Sequence, residues 1–285
     1  EEIERIQPDV IQIHNVHGYY LNKTMLFEYL KKHDYPVVWT MHDCWAFTGH
    51  CAYYAYVKCD KWKTHCCKCS QKGKYPKSVF LDNSRDNYAR KKQAFTGVAN
   101  MTIVTPSEWL AQQVKESFLG EYPCRVINNG IDLAAFSLQD VEKDQKMLLN
   151  VADGLDDRKG HTDLFRLIEL LPEDYKLVIV GLKKQDLKHI PKKVIPVLHT
   201  ETLNELARYY SQAAWFVNTT YEDNFPTVNM EALACGTPVI TYRSGGSPEI
   251  PDDTCGVAVQ PGDIGAIANV IATQTPPSQE ACIAR

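Results

Sequence analysis

Short apolar segments rich in β-branched residues alternate with longer amphipathic stretches along the whole chain. The short segments have the length of strands, and the stretches between them have the periodicity of helices. A regular alternation of this kind predicts an α/β fold with parallel sheets and crossover helices. The predicted strands are Val10–His14, Val37–Met41, Thr102–Thr105, Arg125–Asn128, Met147–Ala152, Lys176–Val180, Val194–Leu198, Trp215–Asn218, Pro238–Tyr242 and Val257–Val259.

Helices are predicted between these strands in both parts of the chain. An Asn-Gly turn at residues 129 and 130 separates four strands from six, so we predict an N-terminal domain over residues 1–132 and a C-terminal domain over residues 133–285. Six strands make a complete doubly wound sheet, and the chain begins inside a predicted helix, so we expect the N-terminal domain to be incomplete. The predicted helices are Asn22–His33, Asn83–Thr96, Ser107–Phe118, Asp163–Leu171, Leu203–Ala213, Val228–Cys235 and Ile264–Ala272.

The composition is that of an ordinary globular protein of 285 residues, with 44% hydrophobic and 23% charged residues. A net charge of -4 gives no support for nucleic acid as a partner. No apolar segment reaches the length of about 18 residues that a membrane span requires. The acidic first residues do not have the pattern of a signal peptide. These observations predict a cytoplasmic protein.

The segment from residue 222 to residue 249 has the pattern of an anion site. A polar turn and Pro226 precede an apolar helical stretch that ends at Gly236. The start of a helix presents unpaired N–H groups at the positive end of the helix dipole, which suits a phosphate. Glu231 lies one turn inside this helix on the same face as Thr227, where its carboxylate would accept the hydroxyl groups of a sugar. An ordinary helix cap with a solvated glutamate is the alternative interpretation.

A second polar loop follows the predicted strand that ends at Ala152. It contains Gly154, Arg158, Lys159 and Gly160, and a predicted helix follows it. A strand, a loop and a helix in this order hold diphosphates at the carboxyl ends of parallel strands. Arg158 would form paired hydrogen bonds to phosphate oxygens, and Lys159 would act as a point charge. Two exposed and solvated cations are the alternative interpretation.

His42 directly follows a predicted strand, at the sheet edge where α/β proteins bind ligands. A histidine there can donate hydrogen bonds or change its charge near neutral pH, so His42 is a candidate catalytic residue. His14 and His17 end the preceding strand and are weaker candidates on the same edge. Histidines that are satisfied by local capping interactions are the alternative interpretation.

Six cysteines occur between residues 44 and 69. Four of them, Cys51, Cys59, Cys66 and Cys69, have spacings that a tetrahedral structural zinc ion could use. Free thiols packed among the neighbouring tryptophan and tyrosine residues are a competing interpretation, and disulfides are a third. In each case we expect residues 44–76 to form a cysteine-rich insertion over the active crevice, where an acceptor would dock.

Six short motifs occur in one order along the chain, and Asp223 and Glu231 delimit the fourth of them. In their order and spacing these motifs resemble glycosyltransferase family 4, and the resemblance extends over nearly the whole chain. The segment from His42 to Cys69 is similar to a bacterial subgroup of that family, the colanic-acid and exopolysaccharide type. The motifs lie at residues 104–107, 129–132, 158–160, 223–231, 232–239 and 245–249.

The resemblance implies a GT-B architecture, in which two Rossmann-like domains face each other and the C-terminal one holds a nucleotide sugar. By position, Asp223 and His42 would act at the reacting sugar, and Glu231 would bind the ribose. Family members transfer with retention and generally without a catalytic metal, so the resemblance implies no obligatory cofactor besides the nucleotide-sugar donor. The remaining donor-binding residues by position are Arg158, Lys159, Asn224, Phe225, Pro226, Thr227 and Val228.

The expected function is the retaining transfer of a sugar from a nucleotide sugar to a glycan or lipid-linked acceptor in bacterial surface polysaccharide synthesis. A lipid-linked acceptor would bring the protein to the inner face of the membrane as a peripheral protein. Two positions depart from the family, since Asp223 stands where it usually has Glu and Gly154 where it commonly has Arg. A dinucleotide oxidoreductase is disfavoured, because no strand leads into a Gly-x-Gly-x-x-Gly loop. The alternative is a catalytically inactive, zinc-stapled module that binds carbohydrate or a partner.

Overall fold

The computed structural model describes residues 2–17, 20–78 and 80–285. The chain divides into two compact units, Glu1–Asn128 and Asn129–Arg285. Each unit contains one sheet, and the paired strands of both sheets run parallel. The predicted α/β class with two parallel sheets is therefore confirmed.

The first unit is a four-stranded sheet with its strands side by side in chain order. Asn22 and Ser107 begin two of its helices, because each side chain accepts the backbone N–H three residues later, at 3.2 and 3.1 Å. The strands are β1 (Ile11–Ile13), β2 (Val37–Thr40), β3 (Met101–Thr105) and β4 (Cys124–Val126). The helices are α1 (Glu2–Ile6), α2 (Lys23–Lys32), α3 (Ser84–Phe95) and α4 (Glu108–Glu116).

Aromatic side chains form much of the core of the first unit. Trp39 of β2 contacts Phe27 of α2 and Phe95 of α3, with ring centroids 5.0 Å apart in both pairs. The segment between β2 and α3 consists of turns and three short 3-10 helices. It adds further buried rings, such as Phe47 and Trp62 at 5.3 Å from each other. Because these rings belong to the same core, this segment is packed onto the rest of the unit.

The second unit is a six-stranded sheet in the order β10-β9-β8-β5-β6-β7, when its strands are numbered along the chain. This is the doubly wound order, in which the direction of winding reverses between β5 and β8. The strands are β5 (Asp144–Val151), β6 (Lys176–Val180), β7 (Val194–Val197), β8 (Ala213–Asn218), β9 (Val239–Tyr242) and β10 (Gly256–Val259). The helices are α5 (His161–Leu170), α6 (Leu203–Gln212), α7 (Thr227–Ala234), α8 (Ile264–Thr273) and α9 (Gln279–Ala284).

The six-stranded sheet is buried on both faces. Neighbouring residues point to opposite sides, so that Leu148 and Leu177 pack in one apolar layer while Leu149 and Val178 pack in the other. Burial on both sides explains why these strands are continuous apolar runs in the sequence. Strand β8 is the clearest case, since all six of its residues are buried.

All ten predicted strands occur, and their ends differ from the predicted bounds by three residues or fewer. Helix α9 was not predicted, because it is short and follows a proline-containing stretch. None of the helices within residues 2–17, 20–78 and 80–285 is long and apolar enough to cross a membrane.

Candidate functional site

Two loops lie where the second sheet reverses its strand order. The first loop, residues 152–160, follows β5, and the second, residues 219–226, follows β8. Strands β5 and β8 are parallel neighbours, so both loops leave the same edge of the sheet. The reversal point at this edge is where doubly wound folds bind their ligands.

The backbone holds these two loops against each other. The N–H of Tyr221 donates to the carbonyl of Arg158 at 2.7 Å. Gly160 has a φ of +73°, and a Cβ at this position would lie 2.0 Å from the carbonyl oxygen of Thr219. Only glycine permits both the positive φ and this close approach. Gly160 is therefore the residue that allows the first loop to contact the second.

The two predicted cations contact the second loop directly. The Arg158 guanidinium donates to the carbonyl oxygen of Glu222 at 2.6 Å. The Lys159 ammonium pairs with Asp223 Oδ2 at 2.5 Å, and the two side chains are 35% and 20% exposed. Because both members of this pair stay partly exposed, one ligand at this edge can reach the cation and the carboxylate together.

Two acidic residues are adjacent in this loop, and the fold gives them different environments. Glu222 is fully buried, whereas Asp223 is partly exposed and paired with Lys159. The Asp223 carbonyl accepts the N–H of Gly246 at 2.9 Å. Gly245 has a φ of +56°, and a Cβ there would lie only 1.9 Å from the same oxygen. Asp223 is therefore the accessible acid, and the glycine pair holds its backbone.

Helix α7 begins at this edge, directly after the second loop. Pro226 precedes its first residue and has no side-chain acceptor, so it cannot cap the first N–H groups of the helix. Thr227 is exposed and Val228 is half-buried, whereas Asn224 and Phe225 are buried. The exposed helix start, with the positive end of its dipole, suits a phosphate.

Glu231 lies one turn inside α7 and is half-buried. The hydroxyl of Tyr210, a buried residue of α6, donates to Glu231 Oε2 at 2.8 Å. Burial raises the pKa of the Glu231 carboxyl, and hydrogen bonds from Tyr210 and Thr227 act in the opposite direction. The contact with Thr227 agrees with the predicted shared helix face. Tyr210 was not identified from the sequence, because it belongs to a different helix.

A lysine from a neighbouring loop fills the space beside Gly154. This glycine has a φ of +75°, and a Cβ there would lie 3.0 Å from Lys183 Cδ. Lys183 follows β6, and its ammonium pairs with Asp153 Oδ1 at 3.0 Å. A cation therefore stands beside the position at which the family commonly has Arg. Lys183 was not predicted from the sequence, where its only signal is its place after a predicted strand.

In the first unit, His42 and His14 lie at the carboxyl ends of β2 and β1. Their rings stack with centroids 5.2 Å apart, and His14 Nδ1 lies 2.9 Å from His42 Nε2. Partial burial and then the neighbouring His14 lower the pKa of His42. The two rings therefore share one hydrogen bond at the edge of the first sheet.

His17 belongs to a second hydrogen-bonded chain in the same unit. Its Nε2 lies 3.0 Å from Asp43 Oδ2, and its Nδ1 lies 3.2 Å from the hydroxyl of Tyr75. The other oxygen of Asp43 accepts the N–H of Trp45 at 2.8 Å. The structure thus brings the three predicted histidines close to one sheet edge and adds Tyr75, which the sequence analysis did not identify.

The zinc prediction is not supported. All ten cysteines lie in the described part of the chain and are free thiols. No group of three or more His, Cys, Asp or Glu side chains among the described residues is arranged to hold a metal ion. Burial raises the pKa of the Cys66 thiol to about 11, and a hydrogen bond with Cys51 lowers the pKa of the Cys69 thiol to about 7. Cys51, Cys59, Cys66 and Cys69 instead pack with the aromatic core, as in the competing interpretation.

Comparison with known families covers most of the chain in two segments. Residues 1–135 match the family described as Glycosyltransferase Family 4. Residues 136–274 match the family described as Glycosyl transferases group 1. The boundary between the two matches falls close to the division between the two compact units after Asn128.

One similar protein is WcaC of Escherichia coli K12, a candidate colanic acid biosynthesis glycosyl transferase. It is 28% identical over 274 residues, which are 88% of this chain and 64% of WcaC. The chain therefore spans about two thirds of the length of that relative.

Two solved structures share the fold over nearly the whole chain. Sucrose-phosphate synthase of Thermosynechococcus elongatus has a TM-score of 0.70 at 18% identity. The match covers 99% of this chain and 68% of the synthase chain. HepE of Anabaena, solved in complex with UDP, has a TM-score of 0.67 at 15% identity. The match covers 98% of this chain and 73% of the HepE chain. With family matches in both units and this likeness of fold, the chain belongs to the glycosyltransferases of the GT-B fold.

Proposed function

We propose that this protein transfers a sugar, with retention of anomeric configuration, from a nucleotide-sugar donor to a glycan or lipid-linked acceptor. The observation that carries the proposal is the meeting of Arg158, Lys159, Asp223 and the start of α7 at the reversal point of the second sheet. Family membership supports the reaction class, and this site has the groups that the class requires.

The donor diphosphate would lie between the two cations and the first N–H groups of α7. As the bond between the sugar and the diphosphate breaks, negative charge builds up on the leaving phosphate. Arg158 and Lys159 are already held in place by the second loop, so they need little rearrangement to stabilise that charge. Preorganised positive groups of this kind stabilise the transition state more than the ground state.

The rest of the donor would contact the two carboxylates. Asp223 is partly exposed beside Lys159 and would accept hydroxyl groups of the sugar. Glu231 would accept the hydroxyl groups of the ribose, because Tyr210 fixes its orientation from the buried side. The buried Asn224 and Phe225 would shape the floor beneath the donor sugar.

The first unit would bind the acceptor. His42 is exposed at a sheet edge, where it would hydrogen-bond the transferred sugar or the acceptor hydroxyl. The name of WcaC supports a role in surface polysaccharide synthesis. A lipid-linked acceptor would place the protein in the cytoplasm, at the inner face of the membrane.

A thermal-shift screen with uridine, guanosine and adenosine diphosphate sugars tests this proposal, since a ligand that binds the folded state raises the melting temperature. Lys159→Ala and Glu231→Ala are expected to reduce the shift produced by the donor that binds. Lys176→Ala is the matched control, because Lys176 forms a similar pair with Asp144 at 2.6 Å but lies at the opposite end of β6. Equal shifts in all three variants would contradict the assignment of the site.

A further inference from the structure

A second concentration of positive charge lies within the first unit, next to His17 and apart from the donor loops. It lines a cavity of about 400 Å³ between the start of α2, the turn after β2, the segment around residue 77 and helix α3. A volume of this size falls in the range of about 300–1,000 Å³ that small-molecule sites occupy.

The basic side chains of the described cavity wall have no acidic neighbour in that wall. Four of its residues are cations, namely Lys23, Lys77, Arg90 and Lys91, and none of the described residues that line it is an aspartate or a glutamate. Cations that share one cavity repel each other and raise the local potential. In a protein of net charge -4, such a wall is a feature that an anionic ligand would stabilise.

Lys91 is the most unusual of these cations, because only 3% of the residue is exposed to solvent. Its ammonium donates to the carbonyl oxygens of Trp45 and Thr48 at 2.6 and 3.0 Å and lies 3.4 Å from the centre of the Trp45 ring. The nearby carboxylate of Asp43 already accepts from Trp45 N–H and contacts His17. Burial and then the neighbouring Lys23 lower the pKa of Lys91 well below its ordinary range, so an anion in the cavity would stabilise the charged ammonium.

Amide side chains and a histidine complete the wall of the cavity. Asn83 and Asn87 line it at the start of α3, where the Asp82 carboxylate already accepts the N–H of Ser84 at 2.9 Å. The Nε2 atom of His50 is buried and has no hydrogen-bond partner in the part of the chain that the structure describes. A buried polar atom without a partner costs free energy, and His50 also lines a smaller cavity beside Cys51 and Cys66.

We propose that this cavity binds the diphosphate group of a phosphorylated saccharide acceptor, an inference that rests on the transferase function proposed above. A diphosphate matches four basic residues and two amide side chains better than a single carboxylate does, because it carries more charge and offers more acceptor oxygens. A neutral sugar would leave the charge of the wall unbalanced. The cavity would therefore select acceptors by their diphosphate rather than by their terminal sugar.

Titration calorimetry with inorganic pyrophosphate tests this inference directly. Every protein in the series carries Arg158→Ala and Lys159→Ala, so that neither cation of the donor loops contributes to the binding. Replacement of the buried Lys91 risks misfolding, so the exposed pair Lys77→Ala and Arg90→Ala is combined instead. Arg85→Ala is the control, because Arg85 is an exposed cation of the same helix that does not line the cavity.

The Lys77→Ala, Arg90→Ala protein is expected to bind pyrophosphate about tenfold more weakly, since it loses two charge-assisted contacts. The Arg85→Ala control is expected to stay within about twofold of its parent. The same dependence on Lys77 and Arg90 with a sugar diphosphate would indicate a soluble acceptor, and with geranyl diphosphate a lipid-linked one. Both support the inference. Equal affinity in all proteins, or no binding to the parent, would overturn it.

The pyrophosphate titration and the nucleotide-sugar screen test the cavity and the donor site independently. Loss of pyrophosphate binding in the cavity variants is measured without a nucleotide and in proteins whose donor loops are already disabled. The nucleotide-sugar screen is measured on proteins with an intact cavity. Either experiment can therefore fail while the other succeeds.

Discussion

The two units each gather positive charge in one place, but they neutralise it differently. In the second unit Lys159 pairs with Asp223 at 2.5 Å, and Arg158 donates to a backbone carbonyl. In the first unit Lys91 and its neighbours face a cavity whose described wall contains no acid. We call the Lys159–Asp223 pair with Arg158 the paired site. A ligand there must bind a cation and a carboxylate at the same time, so the site is selective for molecules that carry both kinds of partner group. Unpaired cations instead attract any sufficiently charged anion of the right size.

The largest expected effect concerns the contact that forms the paired site. Gly160→Ala would place a Cβ about 2.0 Å from the Thr219 carbonyl at a φ of +73°. We expect the second unit to lose about 2–3 kcal/mol of unfolding free energy, because both strain and overlap must be relieved. Donor binding should be lost with it. Urea unfolding measures the change, and Gly130→Ala is the control, since a Cβ there meets nothing within 4 Å. A neutral Gly160→Ala variant would show that the loops are not in tight contact.

A second prediction separates the role of Asp223 as the partner of Lys159 from its role as an acceptor for sugar hydroxyls. Asp223→Asn removes the carboxylate that competes with a phosphate for Lys159, and also removes the acceptor for the sugar hydroxyls. We expect sugar transfer to fall about 100-fold, since hydrogen bonds to charged groups contribute about 1.5–3 kcal/mol. The nucleoside diphosphate without its sugar should bind as well or more tightly. Asp144→Asn, which disturbs the similar pair with Lys176, is the control. If sugar transfer and nucleoside diphosphate binding both fall by the same factor, Asp223 does not have these two separate roles.

A smaller effect is expected at the buried side of Glu231. Tyr210→Phe removes the hydroxyl that donates to Glu231 Oε2 at 2.8 Å. The loss of one such bond predicts donor affinity weaker by about 3- to 10-fold, or about 0.5–1.5 kcal/mol. Calorimetry with the nucleotide sugar measures it, with Tyr209→Phe on the same helix as the control. An unchanged affinity would show that Tyr210 does not orient the carboxylate.

The smallest effect is a dependence of stability on pH at the first loop. The Nδ1 atom of His161 lies 2.9 Å from the backbone nitrogen of Asp156 and 3.2 Å from its carbonyl oxygen. Burial lowers the pKa of His161 below the ordinary value of 6.5. The unfolded chain therefore takes up a proton first as the pH falls, and stability declines from about pH 6.5 downward.

Unfolding at pH 7.5 and at pH 5.5 measures this decline. His161→Gln removes the titrating group and should make stability less dependent on pH over that interval. His189→Gln replaces an exposed histidine and serves as the control. If His161→Gln keeps the full dependence, the ring is not held neutral by the first loop.

Much of the fold and of the paired site could be predicted from the sequence, because the signals there are local. Strand β8 is a continuous apolar run that its two-sided burial explains. Arg158 and Lys159 follow a strand, and the helix that contains Glu231 follows another, so the reversal point brings them together. Each residue could therefore be assigned from its own neighbours in the chain.

The parts that were missed depend on contacts between distant segments. Lys183 reaches the space beside Gly154 from the loop of an adjacent strand, and the strand register could not be derived from the sequence. The cavity takes Lys23, Lys77 and Lys91 from three separate segments. The cysteine spacings suggested zinc, but the same segment packs its rings in the core, as Tyr54 and Trp62 do at 4.9 Å. Spacing alone could not distinguish a metal site from such packing.

Hydrogen exchange of the whole chain, with and without the nucleotide that the screen identifies, tests the central claim most directly. Backbone amides covered by a ligand exchange more slowly, and peptides assign that protection to segments. We expect the nucleotide to protect residues 154–161 and 224–231, and to leave the exchange of residues 77–91 unchanged. Protection confined to residues 77–91, or no protection by a nucleotide that raises the melting temperature, would contradict it.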